Sequence, residues 1–267
     1  MSLGDTRRPW TSSQWTTYFR ANAASLLPIP WDQGVMLSDE EKAAVASSIA
    51  EFQIGESSEG RHFLGRSRDY AIASGDEVYA EAARLFIAEE HRHARDLARV
   101  LDLAGMARIS RSLSDSVFRF LRRILGLEVS ISVLITAEIL AQVYYEALRE
   151  ATGSAVLRVL CEQILNDEAE HVRFQAERLA ILRSGRRPET LVILRLIHRL
   201  FFAATCLVVW RGHRRVFRRG GYGFHRFLAE SARCLQVALH RMDPAHYASK
   251  TPMLAPIPMP LPEEAFP

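Results

Sequence analysis

The chain has 267 residues, of which 48% are hydrophobic and 24% charged, and it carries a formal net charge of +3. These fractions are typical of a globular protein and exclude a disordered or fibrous chain. All but two of the 34 basic residues are arginine, but so small a net charge indicates no nucleic-acid partner. The three cysteines are far apart in the sequence. This excludes a disulfide framework and a cysteine-ligated metal site, and favours a reducing, cytoplasmic setting.

Helical signals dominate the chain, and no segment has the alternating pattern of a strand. Residues 1–37 are predicted to be an irregular or weakly helical N-terminal extension, without the apolar stretch of a secretory signal. The first long helix begins at a capping box formed by Ser38 and Glu41. Glycines and a proline separate the helices that follow. The predicted helices span residues 38–74, 76–103, 114–151, 154–183, 188–219 and 224–242.

These elements predict an all-α fold. The first four helices form two hairpins, and together they make a four-helix bundle over residues 38–185. Two appended helices follow in residues 188–242. A proline-rich tail, which we expect to be extended, covers residues 243–267.

The segment 191–210 is apolar enough to raise the question of a membrane span. It contains Arg195 and Arg199, and each arginine costs roughly 2.5–3.5 kcal/mol near the centre of a bilayer. We therefore expect a buried or interfacial helix and no stable membrane insertion. The arginines of the following segment, 211–219, predict a solvated helix end, with an anionic membrane or a partner surface as the alternative.

Two Glu-x-x-His pairs carry the chemistry of the chain, Glu90 with His93 and Glu168 with His171. At this spacing both side chains leave one helix face, so that one metal ion can be bound by both. A third match, at residues 59–62, shows that a single pair is weak evidence.

The positions of four glutamates around the predicted turns are a stronger signal. Glu59 lies about 15 residues before the first turn, and Glu90 about 15 residues after it. Glu138 and Glu168 flank the turn at Gly153 in the same way. In an antiparallel hairpin the two members of each pair lie at the same height. The chain therefore contains an internal duplication of the pattern Glu…Glu-x-x-His.

Four buried carboxylates require compensating cations. Two divalent ions neutralise four carboxylates, and oxygen and nitrogen ligands without sulfur suit iron or manganese. We expect two Fe ions, with Mn or a mixed Fe/Mn pair as the alternative. Apolar neighbours such as Phe86 and Ile164 argue against solvated helix faces. The predicted ligands are Glu59, Glu90, His93, Glu138, Glu168 and His171.

This pattern resembles the carboxylate-bridged diiron proteins of the ferritin-like superfamily over residues 38–184. The resemblance implies that the second and fourth glutamates bridge two irons. The bridges are then Glu90 and Glu168, with Glu59 and His93 completing one iron site and Glu138 and His171 the other. No branch matches cleanly. The cysteine-rich module of rubrerythrins is missing, and Leu97 stands where the ribonucleotide reductase subunit has its radical tyrosine.

Several further residues are candidates around this centre. Glu56 lies one helical turn before Glu59 and is the alternative ligand from the first helix. His62 lies on the same face and is a lower-ranked ligand. The candidate pocket residues are Gln142, Tyr145 and Phe63.

An acidic residue precedes each bridging glutamate. A metal-bound imidazole needs a partner on its other nitrogen, most often a carboxylate or a carbonyl. We predict that Asp167 accepts a hydrogen bond from His93, and Glu89 from His171, across the bundle. The alternative is that both acids pair with surface arginines such as Arg92.

Two functional classes stay open. The first is an O2-dependent diiron oxidase or monooxygenase that acts on a small, largely apolar organic substrate, with an electron donor protein or reductant. The second is a ferritin-like ferroxidase or iron-handling protein, with the metal as substrate. A shell-forming oligomer favours the second class, and a monomer or homodimer favours the first.

Overall fold

The computed structural model of the chain describes residues 8–58, 60–110 and 126–247. Within these ranges every regular element is a helix, as predicted for an all-α protein. A short 3-10 helix, Trp31–Gln33, lies between the first two α-helices. In chain order the helices are α1 (Ser12–Ala23), α2 (Asp39–Ser58), α3 (Arg61–Ser74), α4 (Val78–Leu103), α5 (Leu127–Ala151), α6 (Ala155–Arg183), α7 (Pro188–Arg219), α8 (Phe224–Arg241) and α9 (Pro244–Tyr247).

The first predicted helix consists of two helices. The capping box is confirmed, because the Ser38 amide donates to Glu41 Oε2 (2.8 Å) and the Glu41 amide donates to Ser38 Oγ (3.2 Å). The prediction of one unbroken helix over 38–74 is wrong, since Gly60 adopts a φ of 132° between α2 and α3. A Cβ at Gly60 would also lie 3.0 Å from the Ile87 side chain. This backbone conformation and close approach favour glycine.

The second hairpin begins later than predicted. Gly126 is extended (φ −63°, ψ 177°) and precedes α5, so the helix predicted from Ser114 is not continuous through this position. Residues 111–125 lie outside the described part of the chain. Helices α4, α6, α7 and α8 begin and end within about two residues of their predicted bounds.

Four long helices form the centre of the bundle. Helix α2 packs on α4, α5 packs on α6, and α4 also contacts α6. Apolar side chains of these helices, among them Phe86, Leu97, Tyr144 and Ile164, are fully buried between them. Helix α7 lies against α2 and α5, and α8 lies against α5, α6 and α7. The two C-terminal helices therefore cover one outer side of the central four.

The N-terminal extension, predicted to be irregular or weakly helical, contains the helix α1. A capping box opens α1, because Thr11 Oγ1 accepts from the Gln14 amide while the Gln14 side chain accepts from the Thr11 amide. Trp15 and Phe19 are each 1% exposed, and both rings pack on Phe174 of α6. Of the two predicted alternatives the helical one holds over these residues, because burial of this aromatic face stabilises the helix.

The C-terminal tail is described as far as Tyr247. Its first residues form α9, so the prediction of an extended chain from Asp243 is wrong at this point. Residues 248–267 lie outside the described part of the chain.

Two helices, α5 and α7, are long and apolar enough to cross a membrane by length and composition alone. In its most apolar window α5 is 67% buried inside the bundle, as is usual for a core helix. The corresponding window of α7 is only 22% buried.

Candidate metal centre

Six acidic and imidazole side chains from four helices meet at the centre of the bundle, and none is more than 7% exposed. The three-residue spacing within α4 and within α6 directs a glutamate and a histidine to the same side of each helix. The site comprises Glu56 (α2), Glu90 and His93 (α4), Glu138 (α5), and Glu168 and His171 (α6).

These side chains form two overlapping groups of potential ligand atoms. The first group is Glu56, Glu90, His93 and Glu168, and the second is Glu90, Glu138, Glu168 and His171. Within each group the ligand atoms lie within 4.8 Å of one another. Glu90 and Glu168 belong to both groups, which is the arrangement expected of carboxylates shared between two neighbouring ions.

Several buried atoms of the site have no hydrogen-bond partner among the described residues. They are Oε1 of Glu90, both carboxylate oxygens of Glu168, and Nδ1 of His93 and of His171. His171 Nδ1 lies 2.8 Å from Glu90 Oε1, yet the two atoms do not form a hydrogen bond of acceptable geometry. Unsatisfied buried polar atoms are costly, and bound cations would satisfy them. The residues present therefore fit divalent metal ions.

Burial and mutual repulsion favour protonation of this cluster in the metal-free protein. Burial, and then the carboxylates of Glu138 and Glu56, raise the pKa of Glu90 well above its usual range. Burial and Glu138 likewise raise the pKa of Glu168. Burial opposes the charged form of His171, but the surrounding carboxylates, Glu90 foremost, raise its pKa overall. Metal ions compete with these protons, so metal binding releases them.

Two further carboxylates orient the histidines. His93 Nε2 lies 2.9 Å from Asp167 Oδ2, and His171 Nε2 lies 2.9 Å from Glu89 Oε2. An ionised carboxylate only accepts, so each Nε2 carries a proton and Nδ1 faces the cluster. Both predicted hydrogen bonds across the bundle are confirmed. The alternative arginine contact exists beside them, because Arg92 also donates to Asp167.

Asn22 links the two orienting carboxylates, and it was not predicted. Its Nδ2 donates to Glu89 Oε1 (2.7 Å) and to Asp167 Oδ1 (2.8 Å). The sequence contained a signal for it, because Trp15, Phe19 and Asn22 follow the i, i+4, i+7 spacing of one helix face. The threonine–glutamine capping box at residues 11–14 marks the start of that helix.

Two of the candidate pocket residues contact the cluster directly. Tyr145 Oη donates to Glu56 Oε1 at 2.7 Å. Burial, followed by the nearby Glu56, raises the pKa of Tyr145, so its hydroxyl stays protonated as a donor. Gln142 Nε2 donates to the backbone carbonyl of Glu168 at 3.0 Å.

The third pocket candidate, Phe63, and the lower-ranked ligand, His62, lie apart from the cluster. Phe63 is buried in contact with Phe86, with 5.9 Å between the ring centroids. His62 is exposed, and it belongs to neither group of ligand atoms.

The favoured first-helix ligand, Glu59, lies outside the described residues. It was predicted by counting residues of one continuous helix back from the turn after Ser74. The break at Gly60 interrupts this helix, so the count does not hold beyond it. Among the described residues Glu56 represents α2 in the cluster.

We expect Glu56→Gln to lower the metal content from about two ions to about one per chain, because only the first ligand group contains Glu56. Elemental analysis of iron-loaded protein measures this. Glu51→Gln, on the same helix but outside both groups, is the matched control. An unchanged metal content in Glu56→Gln, together with a loss of metal in Glu59→Gln, would contradict the assignment. Glu59 would then be the ligand from this part of the chain.

Asp167→Asn should weaken metal binding about 10–100-fold, the usual cost of removing such a partner. Burial opposes ionisation of Asp167, but the hydrogen bond from His93 and the charge of Arg92 lower its pKa, so the native group is charged. Competition with a chelator of known affinity measures the change. Asp96→Asn, a half-buried acid of α4, is the control. Equal affinities in the Asp167→Asn and native proteins would refute the orienting role.

The cluster combines carboxylate oxygens and imidazole nitrogens without sulfur, a donor set that suits Fe(II) or Mn(II). Comparison with protein-family models, with curated proteins and with solved structures finds no match to this chain. The conclusion at this point therefore rests on geometry alone: the helical bundle contains buried glutamate and histidine groups positioned to hold metal ions.

Proposed function

We propose that the protein is a cytoplasmic diiron enzyme of the ferritin-like superfamily, an O2-dependent oxidase or monooxygenase acting on a small, largely apolar organic substrate. The observation that carries the proposal is the pair of overlapping ligand groups that share Glu90 and Glu168. The crossed hydrogen bonds that His93 donates to Asp167 and His171 donates to Glu89 support it. A pair of Fe(II) ions, when bound, supplies electrons for the reduction of O2, with further electrons from a donor protein or reductant.

The side chains of the chain hold and orient this centre. Glu56 and His93 would complete one ion site and Glu138 and His171 the other, while Glu90 and Glu168 would serve both. Hydrogen bonds fix the two terminal carboxylates, because Tyr145 donates to Glu56 and Gln175 Nε2 donates to Glu138 Oε1 at 3.2 Å. Burial of all six side chains excludes bulk water from the cluster.

The C-terminal helices favour an enzyme over an iron-storage protein. Helices α7 and α8 cover an outer side of the central four helices. Ser48 of α2 shares a 2.7 Å hydrogen bond with His213 of α7, and Arg219 donates to the Ala151 carbonyl at 2.9 Å. On this side the chain itself covers the central helices, which removes that part of their surface from the contacts between copies that a storage shell requires.

Anaerobic protein mixed with excess Fe(II) and then with O2 separates the two functions. An enzyme oxidises about two Fe(II) ions per chain, stops, and resumes when a reductant is added. A ferroxidase oxidises the whole excess of Fe(II) without a reductant and assembles into a shell by size-exclusion chromatography. Continuous Fe(II) oxidation would overturn the enzyme proposal, and absence of Fe(II)-dependent O2 uptake would overturn both.

A further inference from the structure

Helix α7 leaves a long apolar face in solvent. Seven large apolar side chains along it are between 55% and 63% exposed. In agreement, only 22% of the most apolar window of this helix is buried. With 3.6 residues per turn and a rise of 1.5 Å per residue, these positions lie on one side of the helix and extend over roughly 24 Å along its axis. The face includes Val192, Ile193, Leu196, Leu200, Leu207 and Val208.

Arginines continue the same face toward the C-terminal end of α7. Arg211, Arg214, Arg215 and Arg218 are all exposed. Within the described ranges none of the four has a carboxylate partner. The sequence of α7 contains one acidic residue, Glu189, at its opposite end. The exposed face is therefore apolar over its first part and strongly cationic over its last.

The opposite side of α7 is fixed to the bundle. Phe202, Cys206 and Phe217 are buried there. His198 shares a 3.1 Å hydrogen bond with Thr136 of α5, and His213 shares one of 2.7 Å with Ser48 of α2. Helix α7 cannot cross a bilayer without breaking these contacts. Its apolar face can therefore lie on a surface, but the helix cannot span a membrane while it stays packed on the bundle.

We propose that this face of α7 docks on the surface of an anionic lipid bilayer. The apolar side chains enter the boundary between headgroups and acyl chains, as in other interfacial helices. The four arginines contact lipid phosphates, and cationic side chains near such a surface each contribute to binding. The docking is independent of the metal centre, and it goes beyond the proposed catalytic function.

A second copy of the chain is a less suitable occupant. A two-fold axis parallel to α7 would place the arginines of one copy against those of the other. An antiparallel pairing would place the four arginines near Glu189 of the other copy, a single carboxylate beside the exposed Arg186 and Arg187. Like charges brought together in this way oppose association, whereas lipid phosphates complement them.

Flotation of the metal-loaded full chain with lipid vesicles tests the proposal. We expect binding to vesicles of phosphatidylcholine mixed with phosphatidylglycerol, weak binding to phosphatidylcholine alone, and release at high salt. Replacing both Arg214 and Arg215 with glutamine should lower the partition coefficient roughly thirty-fold. Replacing both Leu196 and Leu200 with glutamine should lower it roughly a hundred-fold.

Matched controls lie on α3, away from this face. Ile72→Gln removes an apolar side chain that is 81% exposed, and Arg66→Gln with Arg68→Gln removes two exposed cations. These variants should bind the mixed vesicles like the native chain. The proposal fails if the native chain does not bind mixed vesicles or if the controls lose binding equally. It also fails if light scattering shows a dimer that the double leucine variant dissociates, since the face then belongs to a second copy.

Discussion

Glu168→Gln is expected to reduce the bound metal from about two ions per chain to near zero. Glu168 belongs to both groups of ligand atoms, is fully buried, and has two oxygens without hydrogen-bond partners. Glutamine has nearly the same volume but one oxygen and no charge, so it cannot join two cations. Elemental analysis after Fe(II) loading and desalting measures the effect.

Glu170→Gln is the matched control for this substitution. Glu170 lies two positions further along α6, where its partly exposed side chain contacts Arg173. This variant should retain about two ions. The metal-free Glu168→Gln protein should melt no lower than the metal-free native protein near neutral pH, because the change removes a buried carboxylate whose pKa is raised. Native metal content in Glu168→Gln would contradict the shared position of Glu168.

The metal-free protein should lose stability as the pH rises. The pKa values of Glu90, Glu168 and His171 are higher in the folded chain than in the unfolded one. Their contribution is complete below an unfolded glutamate pKa of 4.5 and is lost as the pH rises through the folded values. Each group that titrates lowers the free energy of unfolding by up to about 1.4 kcal/mol per pH unit. Asp167, with a lowered pKa, acts in the opposite direction only at more acidic pH.

Metal loading should reverse this pH dependence. Ions bind the deprotonated ligands, so the stabilisation they contribute increases with pH, and it reaches about 2.7 kcal/mol at a metal concentration of 100 times Kd. Thermal unfolding between about pH 5 and 8, with and without Mn(II), measures both slopes. The metal-free Glu168→Gln variant should show a shallower slope than the metal-free native protein. A melting temperature of the metal-free native protein that increases over this range would refute the account.

Local patterns in the sequence were sufficient to predict the all-α class and most residues of the cluster. The Glu-x-x-His pairs of α4 and α6 act within one helical turn, so their spacing alone places both side chains on one face. Asp167 and Glu89 directly precede Glu168 and Glu90 in the sequence, and this adjacency predicted the hydrogen bonds that they accept from His93 and His171. The charge of buried carboxylates led to the expectation of metal ions, and the structure brings buried glutamate and histidine groups together in positions that could hold them.

Other features depend on contacts between distant segments. The break at Gly60 arises where the chain passes the Ile87 side chain of α4, and this break invalidated the helical count that favoured Glu59 over Glu56. Asn22 reaches the site only because the aromatic face of α1 is buried against Phe174 of α6. Such burial stabilises a helix of weak local propensity, and the partner lies more than a hundred residues away in the sequence.

The same division applies to α7. Its sequence determined a long apolar helix with an arginine-rich end, because composition and the glycines after it are local properties. Which side of that helix is buried was decided by the tertiary structure, since the helix is apolar around much of its circumference over residues 191–210. Contacts of Phe202, Cys206 and Phe217 with the bundle selected one side. The remaining apolar side is exposed because the described helices leave it uncovered, and no sequence periodicity specifies that outcome.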